Sequence, residues 1–338
     1  MNGKITIEKL LDKNVKYGDI FPNDKDKISV VYKELCKQFH PDACGDPRAT
    51  DAFASLQALY SKASAVVGTG VWEGTKYIEI KTTNGKTLKI NYLYHATFEL
   101  GEYYVCNENV IYLFDFSKKK YYNNYIEKIK NISYANNEMR NIFEPLMPQV
   151  QSEYDTTNDK HIIVLKKTSD IFPLRAVIEN FYEGKVPATH MAWMISRLIS
   201  LCCFLKYNNK VINGLNIDAL GVSLEFHSIT ILGGFWFATQ SGAQMLGTTK
   251  DIYAIMPPKV KADKISMFTT DVESVKAFGR KYIADDAPAA VLDFLNSGTS
   301  EDSYDEMQKW DTALQKGFGT RKFIKIKVNK NKIYKKEN

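Results

Sequence analysis

Apolar positions near the N-terminus fall on a helical period. A short helix is predicted over residues 5–11. A second starts at Asp24 or Asp26, acidic residues suited to a helix N-terminus. It carries Ile28, Tyr32, Leu35 and Phe39 at i, i+4, i+7 and i+11. A third, over residues 49–64, places Phe53, Leu56, Tyr60 and Ala63 at i, i+3, i+7 and i+10. Gly45 and Pro47 mark the turn between them, so the two stripes pack as an antiparallel helical hairpin. Pro41 disfavours helical geometry at His40 and ends the second helix there. His40-Pro41-Asp42 is thereby held out at the hairpin tip. Ser29, Lys33 and Lys37 lie at i, i+4 and i+8, away from the apolar stripe, and His40 follows one turn later.

The pattern then changes. Three glycines, Gly68, Gly70 and Gly74, read as a linker; their GxGxxxG spacing follows no strand, which argues against a dinucleotide fingerprint. Residues 76–81 and 86–94 alternate apolar and polar around Asn84-Gly85, a hairpin turn. A second pair, 102–106 and 110–116, flanks Asn107-Glu108-Asn109. A helix interrupted at Pro145 and Pro148 is expected over 136–151, and a short strand over 162–166. Together these predict a small, mostly antiparallel sheet with a helix against it. From Ile171 the chain turns helical. Residues 189–207 carry an apolar belt (Met191, Met194, Ile195, Leu198, Leu201, Leu205) wide enough for a buried central helix. Short strands near 216–223 and 228–233 follow, then helices over 270–284, 287–296 and 304–316.

A length of 338 residues suggests two or three domains, and 44% hydrophobic with 12% aromatic residues is ample for packed cores. No run of 18 or more apolar residues occurs, and the first residues lack the apolar core of a signal peptide, so no membrane span is expected. Cys36, Cys44, Cys106, Cys202 and Cys203 are scattered and odd in number, which predicts reduced thiols in a cytoplasmic compartment rather than a disulfide framework. The net charge of +6 is a property of the end of the chain. Residues 321–338 carry eight Lys or Arg and one acid, so the preceding 320 residues sum to about −1. A final edge strand followed by a solvated basic tail is the simplest expectation there. A weak, salt-sensitive anchor to nucleic acid or an acidic protein is the alternative.

The N-terminal hairpin resembles a J-domain, the co-chaperone module of the DnaJ family. The resemblance rests on Tyr32-Lys33, Leu35 and Phe39 before His40-Pro41-Asp42, on Phe53, Leu56 and Tyr60, and on the entry segment Tyr17-Gly18-Asp19-Ile20-Phe21. It implies that Ser29, Lys33, Lys37 and His40-Pro41-Asp42 dock on a DnaK-type chaperone and stimulate its ATP hydrolysis. Glu34 among the lysines, and Cys44 with Gly45 in the turn, depart from the family pattern.

The remainder resembles the protein-kinase fold in the order of its elements: a sheet-rich small lobe, then a helical large lobe. Lys210 to Leu215 sits where kinases carry their catalytic loop, and the strand from Ile229 leads to Gly234-Phe235-Trp236, where the metal-binding triplet belongs. Gly247-Thr248 and Met256-Pro257-Pro258 resemble the end of an activation segment. Asp271 matches the buried aspartate that braces the catalytic loop. The chemistry is missing. Phosphoryl transfer needs a lysine, metal-binding carboxylates and a positioning base. Those positions hold Phe114 for the lysine, Leu215 for the base, and Leu220 and Gly234 for the metal ligands. Asp115 and Asp218 lie close by and read as an exposed strand end and a loop residue.

The expectation is a multidomain protein: a J-domain helical hairpin over 1–67, a linker over 68–74, an α+β two-lobed kinase-like domain over 75–321 (lobes 75–168 and 169–321), and a basic tail over 322–338. It would act as a co-chaperone or adaptor, not an enzyme, with no cofactor or metal. Its partners would be a DnaK-type chaperone and a client held by the kinase-like domain. The competing expectation is an unorthodox kinase or nucleotide-binding regulator. Richness in Lys, Asn, Ile and Tyr points to an AT-rich genome, and a compact fusion of this kind would suit a phage or viral factor.

Overall fold

The computed structural model describes residues 5–13, 15–67, 76–320 and 323–334. The expected linker, 68–74, lies outside them. The fold mixes helix and sheet, with three separate sheets. The chain divides into two compact units: Met1–Lys81 with Lys86–Leu93 and Cys106–Glu108, and Thr82–Gly85 with Tyr94–Val105 and Asn109–Asn338.

In the first unit, α1 (Ile7–Leu11), α2 (Tyr17–Ile20) and α3 (Lys25–Phe39) pack on α4 (Ala49–Val66). Asp24 caps α3 by accepting from the amides of Asp26 (3.0 Å) and Lys27 (3.2 Å), which satisfies two of the free N–H groups at the helix start. Of the apolar stripe, Ile28, Leu35 and Phe39 are buried against Leu56 and Ala63 of α4. Tyr32 and Tyr60 are only partly buried and stack on each other instead, with ring centroids 3.8 Å apart and planes 7° from parallel. The strands β1 (Lys76–Lys81) and β2 (Thr87–Tyr92) form an antiparallel ribbon. Gly85 takes a left-handed φ of 82° in its turn, as Asn-Gly predicts. The ribbon is a sheet of its own.

The second unit holds that antiparallel sheet, in spatial order β3 (Tyr94–Phe98), β4 (Gly101–Val105), β5 (Asn109–Asp115), β7 (Lys160–Lys166), β6 (Gln149–Asp155). Several elements differ from expectation, among them β3, which runs beyond the strand assigned to 86–94. Residues 119–130, to which no element was assigned, form α5 (Lys119–Lys130), which buries Tyr122 and Tyr125. The helix expected to reach residue 151 stops early. It is α6 (Asn137–Phe143), followed by a 3-10 turn over Glu144–Leu146, and the chain after Pro148 becomes β6. Proline ends a helix because it removes a donor and restricts the residue before it.

The helical part follows. The strand β8 (Phe172–Pro173) and α7 (Leu174–Ala176) lead through a π turn into α8 (Ala188–Tyr207). This helix is long and apolar enough to cross a membrane by length and composition alone. In the structure, however, 61% of its most apolar window is buried inside the fold, as in a core helix. The strands β9 (Leu220–Ser223) and β10 (Ser228–Ile231) pair antiparallel, and β8 adds to β9. Then come α9 (Lys250–Ile255), α10 (Pro258–Asp263), α11 (Phe268–Tyr282), α12 (Ala289–Asn296) and α13 (Ser303–Phe318). The edge strand expected after residue 321 does not form among the described residues. Residues 323–329 pair with no strand, and α14 (Lys330–Ile333) buries Ile333 in the main core.

One ion pair joins α11 to α13. Lys276 and Glu306 are both fully buried, 2.7 Å apart. Lys276 also donates to the Ser297 hydroxyl (3.1 Å) and the Gly298 carbonyl (3.1 Å), and Glu306 accepts from the Ser300 amide (2.8 Å). Burial alone would raise the Glu306 pKa. Lys276, the Ser300 amide and Lys309 outweigh it and hold the group below its ordinary value. Truncating one partner strands a buried charge. Lys276→Met or Glu306→Gln is therefore expected to cost about 3–5 kcal/mol in urea unfolding, and the Lys276→Met/Glu306→Leu double variant less than either.

Candidate functional site

Two regions hold the residues singled out by the sequence. The first is the turn after α3. His40 leaves the helix with extended geometry, φ −61° and ψ 131°. Its carbonyl accepts from the amides of Ala43 (2.9 Å) and Cys44 (2.8 Å), which closes a tight turn. The Asp42 amide donates to Nδ1 of His40 at 3.2 Å, so neutral His40 carries its proton on Nε2. The His40 ring sets its edge against Phe53 of α4, with centroids 5.3 Å apart. His40 is thus anchored on one side, while the Asp42 side chain is 91% exposed. Pro41, Lys33 and Lys37 are exposed and Ser29 is half-buried. The i, i+4 spacing sets the lysines about 6 Å apart along the helix.

Residues that the sequence did not single out stiffen this turn. Arg48 bonds both oxygens of Asp46, at 3.0 and 2.7 Å, and reaches Glu8 of α1 at 2.7 Å. The Arg48 guanidinium holds the Asp46 carboxyl down at about 2. The clue was Asp46-Pro47-Arg48 just before a helix, where an acid is favoured. Of the unusual turn residues, Cys44 packs partly against the core, and a side chain on Gly45 would meet nothing within 4 Å.

The second region lies between β5 and the loops flanking β9 and β10. Phe114 on β5 is 1% exposed. Its ring lies 5.4 Å from Phe98 and 5.0 Å from Trp236, and Tyr125 of α5 stacks on Trp236 at 4.0 Å. These rings leave a cavity of about 10 Å³ bordered by Glu99, Tyr112, Asn216 and Asp218. That is room for about one water, whereas small-molecule sites need at least about 300 Å³. Leu215 and Leu220 are core residues. Gly234 sits at φ 85°, and a Cβ there would come within 2.9 Å of Ile212 Cγ2 and 3.3 Å of Ala219 Cβ. Asp218 is clamped by Arg175, with Nε and Nη2 each 2.5 Å from one carboxylate oxygen. Asp115 is exposed at the end of β5. Among the described residues no group of three or more His, Cys, Asp or Glu is placed to hold a metal ion.

Polar anchors fix the loops around this region. Asp271, buried at the start of α11, accepts from the amides of Ile212 (2.7 Å) and Asn213 (3.0 Å). Asn213 stands in the left-handed region at φ 57°. Its Nδ2 donates to the Phe237 carbonyl (3.1 Å) and the Ser266 hydroxyl (2.9 Å). From the other side, Asn124 of α5 donates to the carbonyls of Trp236 (3.1 Å) and Ala238 (2.9 Å), and the Tyr125 hydroxyl to that of Leu232 (2.8 Å). Asn124 and Tyr125 escaped the sequence reading. Their signal was the spacing of Tyr122, Tyr125 and Ile129 within a lysine-rich stretch.

No known family model matches the sequence, and no similar curated protein is found. Its function is therefore argued from these residues.

Burial pushes the Asp271 carboxyl up to about 7, against the pull of its two amide bonds. A raised folded-state value means that the folded protein binds the extra proton. The associated stability is full below the ordinary carboxylate range and is lost as pH rises toward about 7. Asp271→Ala, which leaves two buried amides without an acceptor, is expected to cost about 2–6 kcal/mol. The gap in urea midpoint between wild type and this variant should narrow as pH is raised from about 4 to about 8.

Proposed function

We propose that residues 1–67 form a J-domain that recruits a DnaK-type chaperone and stimulates its ATPase. The observation that carries this reading is the His40-Pro41-Asp42 turn. It is closed on itself, its histidine is anchored on Phe53, and its aspartate is exposed, as are Lys33 and Lys37 on the preceding helix. An exposed carboxylate on a closed turn suits a partner arginine, and exposed lysines on one helix steer toward an acidic partner. Glu34, also exposed, moderates that field.

We further propose that residues 75–321 form a kinase-like module without catalysis, used to hold a client or partner. In kinases the third strand of the small lobe presents the ATP lysine, and the helix after it supplies the partner glutamate. Here the third strand of the five-stranded sheet presents Phe114. The helix after it presents Asn124 and Tyr125, which bond to backbone carbonyls instead. The filled cavity argues against nucleotide binding, the competing reading. Five free thiols fit a reducing, cytoplasm-like compartment.

Two measurements test these proposals. Wild-type protein is expected to stimulate ATP hydrolysis by a DnaK-type chaperone, and His40→Gln to return it to the unstimulated rate; equal stimulation by both would overturn the assignment. In thermal unfolding, ATP with magnesium or manganese is expected to leave the midpoint unchanged. A ligand present at a hundred times its Kd would add about 2.7 kcal/mol of stability.

A further inference from the structure

The C-terminal segment is a built surface rather than a loose tail. Ile326 and Val328 turn inward against the core, Ile333 is fully buried, and Asn180 donates to the Ile333 carbonyl at 2.9 Å. Lys330 reaches the Ser169 carbonyl (3.3 Å) and Lys332 pairs with Glu183 (3.0 Å). These contacts hold the segment on the core, and exposure alternates residue by residue from 323 to 329, as on an extended chain. The alternate residues Lys325 and Lys327 are exposed, and no acid occurs between residues 323 and 334. At the head of this path lies an aromatic stack. Trp193 of α8 lies parallel to His227, 4.6 Å away and 3° from coplanar, and Phe323 covers His227 at 4.3 Å and 23°. The His227 carbonyl is tied to Arg197 at 2.9 Å. The stack ends in the open, because Phe323 is 71% exposed. Phe226, next to His227 in the chain, is also exposed, at 66%.

We propose that this surface binds single-stranded nucleic acid. A flat aromatic ring lying on a fixed stack, with its outer face free, offers a platform for a base. Two lysines at i and i+2 on an extended chain stand about 6.6 Å apart and can follow a stretched phosphate backbone. An acidic peptide would use the lysines but gain nothing from an open ring face. A membrane would favour aromatic side chains that project outward, as Phe226 alone could do, whereas the more exposed ring, Phe323, lies flat on His227. The proposal stands independently of the chaperone and kinase-like readings.

Fluorescence anisotropy of the full chain with labelled oligothymidylate and oligouridylate tests it. Binding at about 50 mM salt is expected to weaken at least about sevenfold at about 200 mM, the effect of two phosphate contacts on a single strand. Lys325→Gln/Lys327→Gln should remove most of that salt dependence. Phe323→Leu, which keeps an apolar contact with His227 but offers no ring, should weaken binding about 5- to 150-fold, while Phe323→Trp should retain it. Urea midpoints of these variants equal to that of wild type will show that the fold is intact. Absence of binding to either strand, equal affinity of Phe323→Leu and wild type, equal affinity for duplex, or preference for anionic vesicles or polyglutamate would each overturn the proposal.

Discussion

Two amide hydrogen bonds to one carboxylate set the geometry of the larger unit. Asp271 holds the backbone of Ile212 and Asn213 from beneath. Asn213 can then stand in a left-handed conformation and spread its side-chain amide over the neighbouring loop. The cost is a carboxyl with no water around it, which is why its pKa is raised. A buried group of this kind can fix what apolar packing leaves loose. Here that is the relative position of two irregular loops, which have no ladder of their own to define them.

The same loops are held from above by α5, through neutral groups. Asn124 and Tyr125 use donors to satisfy carbonyls of the segment from Leu232 to Ala238, and Trp236 fills the space between. Rings from Phe98, Tyr112, Phe114, Tyr125 and Trp236 meet at this point. Each buried ring contributes about 1.5–3 kcal/mol, and edge-to-face or stacked pairs add about 0.5–1.5 kcal/mol. A lysine in place of Phe114 would bury an ammonium group among aromatic rings, at the cost of its hydration. An aspartate at position 234 would place a Cβ in a space that only glycine leaves open. The ring cluster and the glycine at position 234 are thus parts of one packing solution.

Much of this was legible in the sequence where local chemistry and burial agree. The stop at Pro41, the Asn84-Gly85 turn and the apolar belt of α8 each give a clear local signal and appear where the pattern placed them, and of the two acids offered as the start of α3 it is Asp24 that caps it. The misses share a cause. In α5, lysines and asparagines dominate and the buried side is made of tyrosines, so periodicity in apolar residues is faint. At 149–155 the strand follows directly on a proline-broken helix, and its alternation was absorbed into the helix pattern. After residue 323 the alternation is real, with Ile326 and Val328 facing inward, yet no strand pairs with it. Alternation reports one buried face; it does not report the neighbour that completes a ladder. The Phe323 stack on His227 lay still further from view, because its members are far apart in the chain.

The two units place their polar chemistry in opposite ways. In the first, the His40 turn spends its internal hydrogen bonds on closing itself and leaves the Asp42 carboxylate and two lysines facing water. In the second, the carboxylates that matter, Asp218, Asp271 and Glu306, are each consumed by a partner inside the fold. A group already engaged by a buried partner is poorly available to a metal or a phosphate, and one left exposed on an ordered turn or helix is available to another protein. On the co-chaperone proposal, this asymmetry assigns the chemistry of ATP hydrolysis to the partner and leaves to this chain the work of positioning.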